Sequence, residues 1–469
     1  MIALTVAELA RATDAELRLA PSAALTPDSV IDGRVVVDSR LATPGSIFIA
    51  LRGETTDGHL FAETAVASGS AILIVERPLD LDVPQLVVED GYRALASLAR
   101  FAVARVREAG ALQVVGITGS NGKTTTKNMV RAILETVGRT VAPPGSFNNH
   151  VGAPLSMLDI TETTRFLVVE FGTSGPGEIA NLVSIAMPDV AAVLKVGLAH
   201  VGGFGDIEAT ARAKAELVTG LGPDAVAVLN ADDSRVAAMA DQTSAEILFF
   251  GTTDRAAVRA TDMQTTIDGT SFTLQFGELS RRVQLRIIGE HHVTNALASI
   301  AIADQLGVPV EEAITALEQL ERAERWRMEV FTSPDGYTVI NDAYNASPDS
   351  TAAALKTLAE LTRGKHRAIA VLGEMAELGD HADEEHDRIG RLVVRLNIDQ
   401  LVVVGNAARH IHNAAGLEGS WDGESVLVAT QDEAYDLLRG QLLQGDVVLV
   451  KSSNSAGLRQ LGDRLAGVA

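Results

Sequence analysis

Short apolar runs alternate with amphipathic segments along most of this 469-residue chain. In the first hundred residues the runs VVVDSR, SIFIAL, AILIVE and PQLVVE predict strands, and helical spacing of apolar positions is found at 61–68 and 92–108. This alternation is typical of a small α/β domain. We predict that this first domain covers residues 1–110.

A second series of strands and helices starts at QVVGIT, after a break at 108–110. The runs FLVVEF, DVAAVLKV and AVAVLN alternate with helical segments, which favours a parallel sheet covered by helices. Between 258 and 288 the pattern changes to strand after strand, with a turn at Asp268-Gly269-Thr270, and a hairpin insertion is the simplest interpretation. Helices then return at 292–306 and 310–320. The predicted central domain covers 111–324.

The strand and helix pattern starts again after residue 328, with the runs TVINDAY, RAIAVLG, QLVVVG, SVLVAT and DVVLVKS. A helical segment separates each pair of runs, as expected for a doubly wound, Rossmann-like sheet. We predict a third domain at 325–469, with the polar stretch 318–327 as a hinge. The fold class is therefore α/β with three domains.

Composition limits the range of partners. The formal net charge of -22 disfavours binding to nucleic acid or to an anionic membrane. The absence of cysteine excludes disulfides, thiolate catalysis and cysteine-ligated zinc. The first residues carry acids where a signal peptide has an apolar core, and no run is long enough to span a membrane. We expect a cytoplasmic protein, and a monomer.

The segment GSNGKTTTK directly after QVVGIT has the features of a phosphate-binding loop. Gly119 and Gly122 allow backbone N–H groups to surround phosphate oxygens, Lys123 supplies positive charge, and the Thr124 hydroxyl can bind Mg²⁺. The spacing is a variant, because the strict pattern would place its first glycine where Ile117 stands. A glycine-rich turn without a ligand is the alternative, but the Lys-Thr pair favours ATP. The predicted loop contacts are Gly119, Ser120, Asn121, Gly122, Lys123, Thr124 and Thr125.

Several segments in order resemble the Mur ligase family: GITGSNGKTTT, GSFNNHVGAPLSML, VVEFGTSGPGEI, KVGLAHVGGFG, ARAKAEL and LNADD, then INDAYNASPDS and VLGEMAELGDHADEEHDRIG. The first domain is similar to the UDP-binding domain of that family, so the resemblance covers nearly the whole chain. It implies an ATP-dependent ligase that adds D-alanyl-D-alanine to UDP-N-acetylmuramoyl-tripeptide for peptidoglycan synthesis. The carboxylate would be activated as an acyl phosphate.

The resemblance also implies a metal site, with two Mg²⁺ ions, in the central domain. Glu170 ends an apolar strand, where open α/β sheets place their sites, and would join Thr124 on one ion. By resemblance His200 binds the second ion, and Lys214 is carbamylated by CO₂ and supports it. Lys123, Lys214 and His200 are the predicted catalytic residues. As alternatives, Glu170 is a solvated carboxylate at a strand end, His200 a packed or surface residue, and Lys214 an exposed cation.

Further contacts to the nucleotide are implied by GEHHVTNALASIA and by the hinge. Asn295 matches the family's nucleotide contact, although it could instead cap or pack its helix. Arg327 would reach the γ-phosphate, for which a guanidinium is well suited, and Asp342 would accept hydrogen bonds from ribose hydroxyls.

The substrate contacts rest on shorter matches. Ser39 and Arg40 would contact the UDP-sugar, although Arg40 could instead pair with Asp38 or Asp57. Asn148 and Asn149 would line the muramyl-peptide channel, although such a pair is often a simple turn. Asn345 would contact D-alanyl-D-alanine. Lys451 is a possible partner for a peptide carboxylate.

Two alternatives to this function stay open at this point. One is a ligase of the same superfamily that is MurE-like or folylpolyglutamate-synthase-like and adds a single amino acid. The other is a non-catalytic nucleotide switch, in which the loop binds ATP and the third domain docks a protein. The first differs in its acceptor, and the second predicts no substrate-dependent release of phosphate.

Overall fold

The computed structural model describes residues 1–20, 25–110, 112–143, 145–197, 206–322, 324–418 and 421–468. Within these residues the chain forms three α/β units in sequence, each built around its own main sheet. The predicted fold class is confirmed.

The first unit has a sheet with strand order β2-β7-β6-β5-β4, parallel except for β2 at one edge, and β1 pairs with β3 beside it. Helix Gly91–Glu108 starts at Asp90, whose carboxylate accepts a hydrogen bond from the N–H of Arg93. Its strands are β1 Leu4–Thr5, β2 Glu16–Arg18, β3 Val30–Ile31, β4 Val35–Val36, β5 Ile47–Ile49, β6 Ile72–Val75 and β7 Gln85–Val87; its helices are Val6–Ala12, Ala62–Ala67 and Gly91–Glu108, with 3-10 turns Ser39–Leu41 and Gly58–Phe61.

The second unit is a larger sheet with strand order β16-β15-β14-β13-β12-β11-β8-β10-β9. Strand β8 lies between β11 and β10, and its apolar residues are buried on both faces, as in a central parallel strand. The strands are β8 Gln113–Thr118, β9 Thr140–Val141, β10 Phe166–Glu170, β11 Val190–Val193, β12 Val226–Asn230, β13 Glu246–Gly251, β14 Val258–Thr266, β15 Gly269–Phe276 and β16 Leu279–Leu285. The helices are Lys123–Leu134, Gly152–Met157, Glu178–Ile185, Ile207–Thr219, Ser234–Ala237, Glu290–Gln305 and Val310–Gln319, with a 3-10 turn Ala238–Gln242.

The segment 258–288 differs from the simple hairpin that its pattern suggested. Its described residues form three antiparallel strands, β14 to β16, and β14 also pairs in parallel with β13. A second tight turn, in which Gly277 has φ 58°, reverses the chain between β15 and β16. The segment therefore extends the central sheet.

The third unit has strand order β17-β18-β22-β19-β20-β21, parallel except for β17. The last strand in sequence, β22, lies between β18 and β19, which makes the sheet doubly wound. The strands are β17 Glu329–Thr332, β18 Thr338–Asn341, β19 Ala368–Leu372, β20 Gln400–Val404, β21 Glu424–Val428 and β22 Val447–Lys451; the helices are Pro348–Thr362, Ala382–Arg395, Arg409–Leu417, Gln431–Arg439 and Arg459–Ala466, with 3-10 turns Gly379–His381, Asn406–Ala408 and Asn454–Ala456.

The carboxyl ends of strands from the second and third sheets meet at one cavity. On the central side, the loop after β8 and the residues after β10 line it; on the other side, residues that follow β18 and end β22 do so. Open α/β sheets hold their sites at these strand ends. In the described part of the chain, no helix is both long and apolar enough to cross a membrane.

Candidate active site

The cavity between the central and third units has a volume of about 630 Å³. It brings together most of the residues predicted from the sequence. Those that line it are Ser120, Asn121, Gly122, Lys123, Thr124, Thr125, Asn148, Asn149, Lys214, Asn295, Arg327, Asp342 and Asn345.

The phosphate loop has the conformation that its glycines permit. Gly122 has φ 88°, and a β-carbon there would lie 2.5 Å from Oδ1 of Asn295, so both backbone and space require glycine. Helix Lys123–Leu134 starts directly after it, which leaves the first N–H groups of the helix facing the cavity. The Lys123 ammonium donates a 2.7 Å hydrogen bond to the carbonyl of Gly119. Burial and the nearby Arg327 lower the pKa of Lys123, against the opposing effect of Glu170.

A buried carboxylate lies directly beneath this loop. Glu170 is fully buried at the end of β10, and its Oε2 accepts a 3.3 Å hydrogen bond from the Thr124 hydroxyl. Its Oε1 has no hydrogen-bond partner within the described residues. A carboxylate oxygen left unpaired in the interior is costly, unless a cation completes its surroundings. The arrangement has the hard oxygen donors that Mg²⁺ prefers.

A second lysine of the same helix, Lys127, was missed by the sequence analysis. Its side chain is completely buried, and its ammonium lies 3.5 Å from Oε1 of Glu170. The ammonium also donates hydrogen bonds to the carbonyls of Pro143, at 2.5 Å, and Gly145, at 2.7 Å. Burial lowers its pKa, opposed by Glu170 and Glu324. The available signal was its spacing: Lys123 and Lys127 lie four residues apart on one helix, where two cations repel unless an anion faces them.

Lys214 reaches the same cavity from helix Ile207–Thr219 and is 3% exposed, so the solvent-exposed alternative is wrong. Among the described residues it has no hydrogen-bond or ion-pair partner. Burial and then the positive charge of Lys123 lower the pKa of Lys214 to about 7. His200 lies outside the described residues. No group of three or more histidine, aspartate or glutamate side chains placed to hold a metal is found in the part of the chain that the structure describes.

The helix Glu290–Gln305 supplies a buried polar cluster beside the phosphate loop. The amide nitrogen of Asn295 lies 3.4 Å from Nδ1 of His292, and the rings of His291 and His292 are in contact, with centroids 4.1 Å apart. Burial lowers the pKa of His291 to about 4 and that of His292 well below its usual value, so both rings are neutral at pH 7. This cluster therefore adds polar groups without adding charge.

Arg327 connects the third unit to the phosphate loop. Its guanidinium donates a 3.2 Å hydrogen bond to the Thr124 hydroxyl and stacks on the ring of Tyr344 at 4.3 Å. Its neighbours Trp326 and Met328 have φ of 56° and 51°, a left-handed conformation that is strained for bulky residues. The strain is located where the chain enters the cavity, at the C-terminal end of the predicted hinge.

The third unit's side of the cavity is held by charge pairs and hydrogen bonds. Lys451 is 2% exposed, and its ammonium lies 2.6 Å from Oδ2 of Asp342, which leaves it engaged rather than free for a peptide carboxylate. Oδ1 of Asp342 accepts a hydrogen bond from the N–H of Met328. The Ser347 hydroxyl donates a 3.0 Å hydrogen bond to Oδ1 of Asn121 in the phosphate loop. The two walls are thus in direct contact.

The predicted substrate residues fall into two groups. Asn148, Asn149 and Asn345 line the cavity. Ser39 and Arg40 lie elsewhere, in the first unit, and Arg40 forms the ion pair with Asp38 that was the alternative in the sequence analysis, at 2.6 Å.

Comparison with known proteins identifies the class to which this fold and site belong. Three family models match the chain: the Mur ligase family catalytic domain at 34–112, the Mur ligase middle domain at 117–303 and the Mur ligase glutamate ligase domain at 326–454. The chain belongs to the Mur ligase family.

Individual relatives match over nearly their full length. The chain is 42% identical to the UDP-N-acetylmuramoyl-tripeptide--D-alanyl-D-alanine ligase of Mycobacterium tuberculosis, covering 99% of this chain and 98% of that protein. Its structure is similar to the crystal structure of MurF from Acinetobacter baumannii, with a TM-score of 0.87 and 32% identity over 99% of both chains. A MurF ligase from Thermotoga maritima in complex with ADP matches with a TM-score of 0.82 and 28% identity, over 93% of this chain and 98% of that one.

Proposed function

We propose that the chain is an ATP-dependent ligase that joins D-alanyl-D-alanine to UDP-N-acetylmuramoyl-tripeptide, giving the UDP-muramyl-pentapeptide used in peptidoglycan synthesis. The observation that carries this proposal is that one cavity brings the phosphate loop opposite Asp342 and Asn345 of the third unit. The full-length relatives that carry this name support the choice of substrates.

The proposed reaction has two steps. A carboxylate oxygen of the tripeptide attacks the γ-phosphorus of ATP, the bond from that phosphorus to the bridging oxygen breaks, and the products are an acyl phosphate and ADP. The dipeptide amine, which loses a proton, then attacks the acyl carbon, and inorganic phosphate leaves. In the first step charge builds up on the phosphoryl oxygens, so positioning and electrostatics supply most of the catalysis. Lys123 and the N–H groups of its loop stabilise that charge, and Arg327 approaches it from the third unit.

ATP is the nucleotide for which the loop is suited. The predicted contacts are Gly119 to Thr125, with Asn295, Arg327 and Asp342 around them. Asp342 is paired with Lys451 and also lines the cavity. Its carboxylate would therefore be held in position by Lys451 while it accepts hydrogen bonds from the ribose hydroxyls.

The residues present fit a magnesium site. Thr124 and Glu170 would hold one Mg²⁺ ion, because Oε1 of Glu170 is a buried acceptor without a hydrogen bond among the described residues, and its cationic neighbour there is the Lys127 ammonium 3.5 Å away. We assign His200 and Lys214 to a second ion, as the family resemblance implies. Bound Mg²⁺ would neutralise part of the negative charge on the phosphate groups.

Lys214 is the proposed site of carbamylation. A buried ammonium without an anionic partner is unfavourable beside Lys123 and a metal ion, whereas a carbamate formed from the amine and CO₂, with release of a proton, is an anion that can support Mg²⁺. We expect Lys214→Ala to be inactive and to regain activity with added acetate, which replaces the carboxylate. Full activity of the variant, or no rescue by short carboxylates, would overturn this assignment.

The substrates would approach from different sides. We place the muramyl peptide along Asn148 and Asn149, the UDP-sugar at Ser39 and Arg40 in the first unit, and D-alanyl-D-alanine at Asn345. The corresponding domain bounds of 1–110, 111–324 and 325–469 are supported by the ranges of the three family models. We further propose that the enzyme is a cytoplasmic monomer.

The test is the substrate dependence of phosphate release by the purified protein with MgATP. We expect release only when UDP-N-acetylmuramoyl-tripeptide and D-alanyl-D-alanine are both present, with the pentapeptide as product. Release with a single diamino acid or glutamate in place of the dipeptide would favour the MurE-like or folylpolyglutamate-synthase-like alternative. Binding of ATP without substrate-dependent release would favour a nucleotide switch. Running the tripeptide with lysine and with diaminopimelate in parallel identifies the preferred third residue.

A further inference from the structure

Lys127 is completely buried and makes contacts that no step of the proposed mechanism uses. A buried ammonium is stable only when acceptors surround it. Its acceptors come from two separate parts of the chain: the carboxylate of Glu170 at the end of β10, and the carbonyls of Pro143 and Gly145 in the segment after β9.

The segment that Lys127 holds continues into the residues 145–149, which we call the cavity loop. Ser146, Asn148 and Asn149 of this loop line the cavity. The carbonyl of Asn148 accepts a 2.9 Å hydrogen bond from the N–H of Gly172, and a β-carbon at Gly172 would lie 2.6 Å from the Asn148 amide. The loop therefore packs tightly against the residues that follow Glu170.

The cavity loop touches the third unit, and the residue that follows the loop touches the first unit. The Ser146 hydroxyl lies 3.0 Å from the hydroxyl of Tyr344, in the third unit. Directly after the loop, the ring of His150 lies 5.3 Å from that of Tyr92, on the long helix of the first unit. A ligand that extends from the proposed UDP-sugar site in the first unit to the phosphate loop would pass this junction, whereas ATP at the phosphate loop would not.

We propose that Lys127 is a positioning residue that fixes the cavity loop against Glu170 and so sets the affinity for the UDP-linked peptide rather than for the nucleotide. It acts at Pro143 and Gly145, where the loop begins, and the hydroxyl of Tyr344 acts as a second anchor at the next residue, Ser146. The proposal rests on the proposed function for the identity of the ligand. In chemical terms, the buried ammonium of Lys127 links the carboxylate of Glu170 to the backbone carbonyls of Pro143 and Gly145.

Binding measurements with the full chain test this proposal without requiring turnover. The affinities for UDP-N-acetylmuramoyl-tripeptide and for ADP are measured by calorimetry for wild type, Lys127→Met, Lys127→Gln and the exposed control Lys356→Met. We expect Lys127→Met to weaken tripeptide binding by about tenfold, the size of losing one or two hydrogen bonds from a charged donor, with little change for ADP. Lys127→Gln keeps a hydrogen-bond donor, so its affinity for the tripeptide should lie between those of wild type and Lys127→Met. The affinities of Lys356→Met should match those of wild type.

Lys127→Met leaves Glu170 without its cationic neighbour and is expected to lower the stability of the protein. Tyr344→Phe is therefore included as a second variant, because it changes the cavity loop without removing a buried charge. The Phe variant keeps the ring under Arg327 and removes only the hydroxyl that contacts Ser146. It should weaken tripeptide binding alone, and combining it with Lys127→Met should add less than the sum of the two effects, since both anchor one loop.

Three outcomes would overturn the role of Lys127: unchanged tripeptide affinity in both Lys127 variants, equal losses for ADP, or full additivity with Tyr344→Phe. Failure of the proposed function looks different. In that case wild type binds the tripeptide and responds to these changes but forms no pentapeptide. A wild type that does not bind the tripeptide would overturn both.

Discussion

The two walls of the cavity differ in how their buried polar groups are paired. On the central wall, Glu170 keeps one carboxylate oxygen without a hydrogen bond, and Lys214 has no partner among the described residues. On the third unit's wall, Asp342 is paired with both Lys451 and the backbone of Met328. The buried atom of this wall that lacks a hydrogen bond among the described residues is Nε of Arg327, the side chain that reaches across to Thr124.

The two walls therefore differ in how their buried polar groups affect the stability of the fold. Unpaired buried polar groups destabilise a fold, and they persist where a ligand completes them. This difference supports our proposal that phosphate transfer and metal binding take place on the central wall. The third wall is a pre-formed support that presents Arg327 and Asn345. Its closing contacts, such as Ser347 to Asn121, bring it onto the phosphate loop.

The largest effect is expected from the central wall, at Lys123. Changing Lys123 to Met keeps much of the side chain's volume and removes the charge that we propose stabilises the transferred phosphoryl group, so kcat should fall by about 10³-fold. Steady-state kinetics measure this, with Lys356→Met as the matched exposed control. A Lys123→Met enzyme with near-normal kcat would contradict the assignment of phosphate chemistry to the central wall.

The second largest effect on activity is expected for Glu170→Gln. The change is isosteric and removes the charge that a metal ion would use, so activity should fall by about 10²-fold and half-saturation should require more Mg²⁺. Titration of activity with Mg²⁺ checks both effects. If the loss came with an unchanged Mg²⁺ requirement, Glu170 would be a structural carboxylate.

On the third wall the main effect should be on stability. Asp342→Ala leaves Lys451 buried without its partner and should lower the free energy of unfolding by about 3 kcal/mol, whereas Lys123→Met should not. Denaturant unfolding measures both. Adding Lys451→Met to Asp342→Ala removes the unpaired charge and should restore part of the loss. Equal stability of Asp342→Ala and wild type would contradict the pairing argument.

The smallest expected effect is a pH dependence from His291, between the walls. Its pKa is lowered from 6.5 to about 4 in the folded protein, chiefly by burial, so the unfolded chain binds the proton more readily in that interval. Stability should therefore be lost as pH falls from 6.5 towards 4. Thermal unfolding of His291→Gln should show a shallower decline than wild type. Parallel curves for the two proteins would exclude this contribution.

Much of the fold could be predicted from local pattern. The runs QVVGIT and FLVVEF are continuous apolar segments that end in Thr118 and Glu170, and they form neighbouring parallel strands whose ends meet at the cavity. Strand β17 and the second tight turn of the segment 258–288 were not predicted as separate elements. Short edge strands and tight turns contain too few residues to show a clear hydrophobic periodicity.

The site could be predicted only where a motif carries it. The phosphate loop is contiguous in sequence, so its spacing predicted a set of residues of which all but Gly119 line the cavity. Lys127 and Lys451 take their roles from partners that are distant in the chain, Glu170 and Asp342. The spacing of Lys127 from Lys123 indicates that an anion faces it, but it does not identify that anion as Glu170. The pairing of Arg40 with Asp38 was foreseen as one of several possibilities, because the two residues are close in sequence.

The most direct test of carboxylate activation follows the oxygen atoms. UDP-N-acetylmuramoyl-tripeptide labelled with ¹⁸O in its reacting carboxylate is incubated with the enzyme, D-alanyl-D-alanine and MgATP, and the released phosphate is analysed by mass spectrometry. If the carboxylate attacks the γ-phosphorus, one labelled oxygen appears in each phosphate and the other stays in the new amide. Phosphate without label, released at the rate of pentapeptide formation, would contradict the acyl-phosphate route.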